Sequence, residues 1–272
     1  MQNIFETIAN KLFGYFWFEA MHTRIDLLLR GETEEELIEV AKLIQSRLMN
    51  FEKIVNRFNP KSELSILNET AFRDCVEVSE ELFPILKMAI EAYSSTCGYF
   101  DPTINSTTAL SSRDRIAAVR LGKSSVQFEA DGILLDLNGL VKGVILDEVI
   151  GLIRERGIED AFINLGNSSI GVLGNQPGSA EASGWCIEIP NSIRDNREVN
   201  LVNSFFTTSG NLSQTHTHII NPLTGVFVRG KKEISVVTPT SSMGEVLSTA
   251  LFAASPDEYE RILANFPSSY IC

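Results

Sequence analysis

The chain has 272 residues and a formal net charge of −12, with 44% apolar and 21% charged residues. That is an ordinary globular composition, long enough to bury a full core, and its acidic balance argues against nucleic acid or an anionic membrane as a partner, because both call for a basic face. Cys75, Cys97, Cys186 and Cys272 are scattered without a Cys-x-x-Cys pair, which favours free thiols over a zinc site or a disulfide framework.

Met1 to Phe18 mixes apolar residues with Glu6, Asn10 and Lys11. It lacks the basic start, apolar core and cleavage or lipid-attachment cysteine of an export signal. With no run of about 18 apolar residues to span a bilayer, the sequence as given predicts a cytoplasmic protein, or an exported one whose leader has been trimmed. A short helix is expected over Met1 to Gly14. Tyr15 to Leu29 is β-rich, with Met21, Thr23, Ile25, Leu27 and Leu29 alternating with His22, Arg24 and Asp26. Thr33 to Glu36 is a capping box, and Leu37, Ala41, Ile44, Leu48, Phe51 and Val55 share one face of the helix it opens. Pro60 stops that helix. The stretch from Asn56 to Asn68 reads either as a connection capped by Ser62 or as a ligand-contacting loop. Another helix begins at Ser79, and Gly98 to Ile104 is a glycine turn into an extended segment.

Ser125 to Ala130 and Gly132 to Asp136 read as a hairpin. Ile133 to Leu137 reads as a buried strand that turns at Gly139 and Gly143 into a helix carrying Ile145, Leu146, Val149, Leu152 and Ile153, with Gly157 as its stop. Lys142 sits at the start of that helix, where a cation opposes the macrodipole. It either extends into water or meets an anion at a helix end whose N–H groups also favour one. Strands are expected at Asp160 to Leu165, Trp185 to Ile189, Phe205 to Thr208 and Ile234 to Thr238, and an exposed loop at Asn175 to Ser183. A strand leaves through the Asn221-Pro222 turn, a helix spans Met243 to Ala254, and a last helix starts at Pro256. Helices and strands are mixed rather than alternating, so the fold class is α+β, read as one domain over residues 1–272, with two close sub-domains as the variant.

Glu245 and Thr249 stand four apart on one helix face and would suit a hard cation, although Ser242 to Glu245 also matches a capping box. His216 and His218 would share a face on a strand. Nothing nearby completes a zinc site, which leaves a lone functional histidine or a structural one. No Gly-x-Ser-x-Gly, Walker or complete Gly-x-Gly-x-x-Gly motif occurs, which weakens serine-hydrolase, NTPase and Rossmann readings.

In order, Met21-x-Thr23, Arg57-Phe58-Asn59-Pro60, Ser62-Glu63-Leu64-Ser65, Leu67-Asn68, Gly98 to Ile104, Asp136 to Asp147, Asn164-Leu165-Gly166, Thr208-Ser209-Gly210, His218 to Gly225 and Leu247 to Phe252 resemble the motifs of the ApbE family. The resemblance implies an α+β fold with FAD in a cleft and a divalent metal, Mg²⁺, at the pyrophosphate. It implies transfer of FMN from FAD to a Ser or Thr hydroxyl of a target flavoprotein, with release of AMP. It places the metal on a backbone carbonyl at Val141, on Glu245 and on Thr249, sets Lys142 beside the phosphates and gives His218 a part in catalysis. Met21, Ser62, Glu63, Asn68, Asp101, Thr103, Ser209 and Gly210 would shape the FAD cleft. Against the usual pattern, Asn138 replaces a glycine, Ser168 an aspartate, Gly244-Glu245 an Ala-Asp pair and Asn221 an aspartate, while Leu212 and Gln214 replace a tyrosine and an arginine. These departures keep two other readings open: an FAD pyrophosphatase giving FMN and AMP, and a flavin-binding protein without turnover.

Overall fold

A computed structural model describes residues 1–179, 183–189, 198–211, 217–230 and 233–272. The segment expected to be a short helix is not one. It forms strand β1 (Gln2–Ile8) and the start of β2 (Lys11–Ala20), joined by a two-residue turn in which Ala9 and Asn10 have φ of 50° and 60°. Such a turn matches the right-handed twist of paired strands. The spacing of Ile4, Phe5, Ile8 and Leu12 suits a helix as well as a strand, and pairing decides it: Phe5 packs edge-on against Phe16, with ring centroids 5.7 Å apart. A second two-residue turn, Met21-His22, leads into β3 (Thr23–Gly31).

Helix α1 (Glu34–Val55) is capped by the Thr33 side chain, which accepts from the Glu36 N–H, and it buries the predicted stripe. Helix α2 (Glu63–Thr70) is capped by Ser62 in the same way. There follow β4 (Val76–Glu77), α3 (Leu82–Ser95), α4 (Ser112–Ala117), β5 (Val119–Leu121), β6 (Ser125–Phe128) and α5 (Val141–Glu155). The remaining elements are β7 (Ala161–Leu165), β8 (Ser169–Leu173), β9 (Trp185–Glu188), β10 (Glu198–Leu201), β11 (Phe205–Gly210), β12 (Ile220–Asn221), β13 (Val226–Phe227), β14 (Glu233–Thr238), α6 (Ser241–Ala253), α7 (Tyr259–Leu263) and β15 (Tyr270–Ile271).

An eight-stranded antiparallel sheet in the order β1-β2-β3-β7-β8-β11-β14-β15 organises the chain. Alternation along the strands gives it two apolar faces. Ile25, Leu27, Leu29, Ile163 and Leu165 pack with Leu37, Ile44, Leu48, Ile145, Leu146 and Leu247 of α1, α5 and α6 in the main core. On the other side Ile170, Val172, Phe206 and Val237 pack with Trp185, Ile187 and Leu201 of the β9–β10 ribbon. This is an α+β fold.

Other segments also differ from expectation. Residues 133–137 form no strand and join no sheet. Their polar groups are met by side chains and a loop instead: Leu135 N–H donates to Asn68 Oδ1 at 2.8 Å, Asn68 Nδ2 donates to the Leu135 carbonyl at 2.9 Å, and Asp136 N–H donates to the Pro102 carbonyl at 2.7 Å. Strand β6 therefore pairs with β4 and β5, not with 132–136. Helix α6 starts two residues before the expected Met243 and is capped by Thr240, not Ser242. Pro256–Glu258 is a 3₁₀ turn leading into α7. His218 precedes β12 and lies on no strand; His216, Leu212 and Gln214 fall outside the described residues, as do 180–182 of the expected exposed loop. Among the described residues no helix is long and apolar enough to cross a membrane.

Candidate active site

A cleft of about 690 Å³ opens between the sheet, the first turns of α5 and α6, and the loops around Tyr99 to Asn105 and His218 to Pro222. That volume is in the range of small-molecule sites. At its floor, Lys142, the second residue of α5, faces Glu245 and Thr249 of α6, Ser168 at the entry to β8, and Ser209 and Gly210 at the end of β11.

Two glycines and one aspartate set this geometry. A Cβ on Gly143 would lie 2.5 Å from the Ser241 carbonyl oxygen, so only glycine lets α5 cross the start of α6 so closely. The Asp147 carboxylate, one turn on, accepts from the Ser241 and Ser242 N–H groups at 2.6 and 3.0 Å. It thus ties α5 to the positive end of α6. The second close glycine is Gly244, whose Cβ would lie 2.4 Å from Thr207 Oγ1 and 2.9 Å from Thr238 Oγ1. Alanine at 244 would push α6 off the sheet, which accounts for glycine at that position.

Gly143→Ala is expected to destabilise the fold by about 1–3 kcal/mol through overpacking, read from a urea midpoint. Asp147→Ala should cost about 1–2 kcal/mol as a lost helix cap. Burial pushes the Asp147 carboxyl up, partly countered by its bonds from Ser242 and Ser241. The native chain then holds this proton to higher pH than the unfolded chain. Its contribution to stability is greatest below the ordinary carboxylate range and falls as pH rises through the raised native value. Asp147→Asn should remove that slope from a plot of unfolding free energy against pH.

Glu245 is 5% exposed. Its Oε1 accepts from Ser169 Oγ and lies 3.7 Å from Lys142 Nζ, which also donates to Ser168 Oγ. The cation at the helix start is thus met by an anion of the chain itself. Thr249 Oγ1 is 3.4 Å from Ser209 Oγ, which in turn bonds Ser248 Oγ at 2.8 Å. Higher on the wall, Asp136 pairs with Arg57 at 3.1 Å, and the Arg57 guanidinium stacks on Phe58 at 4.3 Å. His218 lies at the exposed rim.

The structure brings Lys142, Glu245, Thr249, His218, Asp101, Ser209 and Gly210 to the cleft wall. It does not bring Met21, Ser62, Glu63, Asn68, Thr103 or Val141 there. Met21 N–H donates to Glu52, Ser62 caps α2, Glu63 accepts from Ser79, and Asn68 holds Leu135. Thr103 is fully buried and donates to Asp101 at 2.5 Å, and Val141 is 5% exposed as the first residue of α5. The Asp101 carboxylate is itself taken up by Arg115 at 2.8 Å and by Thr103, so it braces the wall. Among the departures, Asn221 has a clear role: its Nδ2 donates to the Ala253 carbonyl at 2.9 Å, closing the end of α6 as an aspartate could not.

Among the described residues, no group of three or more His, Cys, Asp or Glu side chains is placed to hold a metal. The donors that meet at the floor, the Glu245 carboxylate and hydroxyls that include that of Thr249, are hard oxygens. That set fits Mg²⁺, which takes one or two carboxylates and completes its shell with water and substrate phosphate.

Sequence reasoning missed Ser169, Asp147 and Arg115. Asp147 had a signal, since a carboxylate four residues after Gly143 interrupts an apolar stripe. Arg115 had none.

A sequence profile of the ApbE family matches residues 21–271. The chain belongs to the ApbE family. Among its relatives are the FAD:protein FMN transferases of Treponema pallidum (strain Nichols), 24% identical over 87% of this chain and 76% of that protein, and of Chlamydia muridarum (strain MoPn / Nigg), 24% identical over 78% and 75%. Two solved structures share the fold. The flavin transferase ApbE from Vibrio cholerae superposes with a TM-score of 0.80 at 17% identity, covering 94% of this chain and 91% of that one. The ApbE protein of Thermotoga maritima gives 0.79 at 19% identity, covering 95% and 93%.

Proposed function

We propose that this ApbE-family chain is a FAD:protein FMN transferase that works with Mg²⁺ and moves FMN from FAD to a Ser or Thr hydroxyl of a target flavoprotein, releasing AMP. The observation that carries this reading is the meeting of Lys142, Glu245 and Thr249 at the floor of one cleft. Three positions, two of them about a hundred residues from the third, supply a cation and hard-oxygen donors in one place, as phosphoanhydride chemistry requires.

Glu245 and Thr249 would hold the Mg²⁺, which when bound would offset charge on the pyrophosphate. Lys142 supplies the protein's own positive charge beside the phosphates. The loop from Tyr99 to Asn105 and the Arg57–Asp136 pair line the cleft and would wall the larger part of the FAD. His218, exposed at the cleft rim, would take the proton of the incoming hydroxyl.

The test is to mix the chain with FAD, Mg²⁺ and peptides carrying a Ser or Thr acceptor, then measure covalent flavin on the peptide and AMP. Equal amounts of both are expected. Free FMN with AMP and no labelled acceptor would instead indicate a pyrophosphatase.

A further inference from the structure

Ser168 lies in the hairpin between β7 and β8 and faces the cleft floor. Its backbone is pinned: Thr208 N–H donates to the Ser168 carbonyl at 2.8 Å, and Gly166 and Asn167, with φ of 64° and 60°, make the turn that presents it. Its hydroxyl touches Lys142 Nζ and lies 3.4 Å from Ser169 Oγ, which donates to the buried Glu245 carboxylate. A hydroxyl nucleophile and a cation therefore stand in contact in the cleft. The neighbouring cleft hydroxyls are taken up otherwise: Thr208 Oγ1 bonds Ser235 Oγ at 2.8 Å, and Ser209 Oγ bonds Ser248 Oγ at 2.8 Å.

Resting on the transferase reading above, we propose that Ser168 is a self-flavinylation site, its hydroxyl taking FMN from FAD held in the same cleft. Ser168 Oγ attacks the FMN-side phosphorus. The Oγ–P bond forms, the anhydride P–O bond breaks, and AMP leaves with that bond's electron pair. The hydroxyl proton leaves to water in the cleft. Lys142 offsets charge gathering on the phosphoryl oxygens.

The experiment incubates the full chain with FAD and Mg²⁺ without acceptor, denatures it, strips free flavin and measures intact mass and peptide fragments. The expected result is one adduct per chain of the mass of FMN less one water, mapped to Ser168, with one AMP per adduct. Ser168→Ala, verified as folded by its circular dichroism and urea midpoint, should carry no adduct. An unmodified chain that still releases AMP and labels an acceptor peptide overturns the proposal and leaves the transferase reading intact. So does an adduct mapped to another residue. A chain that labels neither itself nor a peptide and releases no AMP overturns both.

Discussion

Lys142→Met is expected to lower flavin transfer by about 10²–10³-fold, the usual loss when one preorganised electrostatic stabiliser is removed from a site of charge development. Methionine keeps most of the length and the apolar stem of the side chain, so α5 should hold its place. The ammonium group faces the cleft and touches Ser168 and Glu245. Removing it takes away the protein's own cation at the floor and leaves the Glu245 carboxylate without its cationic neighbour, though still bonded by Ser169. The loss should fall mainly on kcat, because the rest of the cleft wall still binds FAD. Lys142→Arg should not restore full rate: its planar fork cannot occupy the point-charge position that the ammonium holds between Ser168 and Glu245. Steady-state AMP release against FAD concentration reads both predictions.

Glu245→Gln is expected to show an equally large loss with a different signature. The amide oxygen can still accept from Ser169, and the side-chain length is unchanged, so the fold should survive. What goes is the one carboxylate at the floor. On the proposed assignment, Mg²⁺ dependence should shift to higher concentration, and excess Mg²⁺ should recover part of the rate. It should recover none of the loss in Lys142→Met. Because the two groups are 3.7 Å apart, the double variant should lose less than the product of the single losses.

The long helix α1 was legible because its cap and its apolar stripe agree, and nothing tertiary contradicts them. The β1–β2 hairpin was not. Its apolar spacing suits both periods, and its turn is Ala9-Asn10 with no glycine to announce it. The 133–137 segment has the apolar pattern of a strand, but its backbone partners are an asparagine side chain and a loop carbonyl. Local pattern cannot show that.

For the site, motif resemblance named Lys142, Glu245 and Thr249, and the α5–α6 crossing unites them. Residues such as Ser62 and Asn68 belong to the same motifs, yet their side chains hold the frame rather than line the cleft. Ser169 depends on register: only the Leu165–Ser169 pairing of β7 with β8 points its hydroxyl at Glu245. A linear reading has no access to such a pairing.

Flavin transfer from this cleft is tested most directly by following AMP release from FAD with and without Mg²⁺, in the presence of Ser- and Thr-bearing acceptor peptides, alongside a fluorescence titration of FAD binding. The expected result is FAD binding, AMP release that requires Mg²⁺, and covalent flavin on the acceptor in equal amount. FAD that binds but yields neither AMP nor labelled acceptor, or no FAD binding at all, would contradict the transferase assignment.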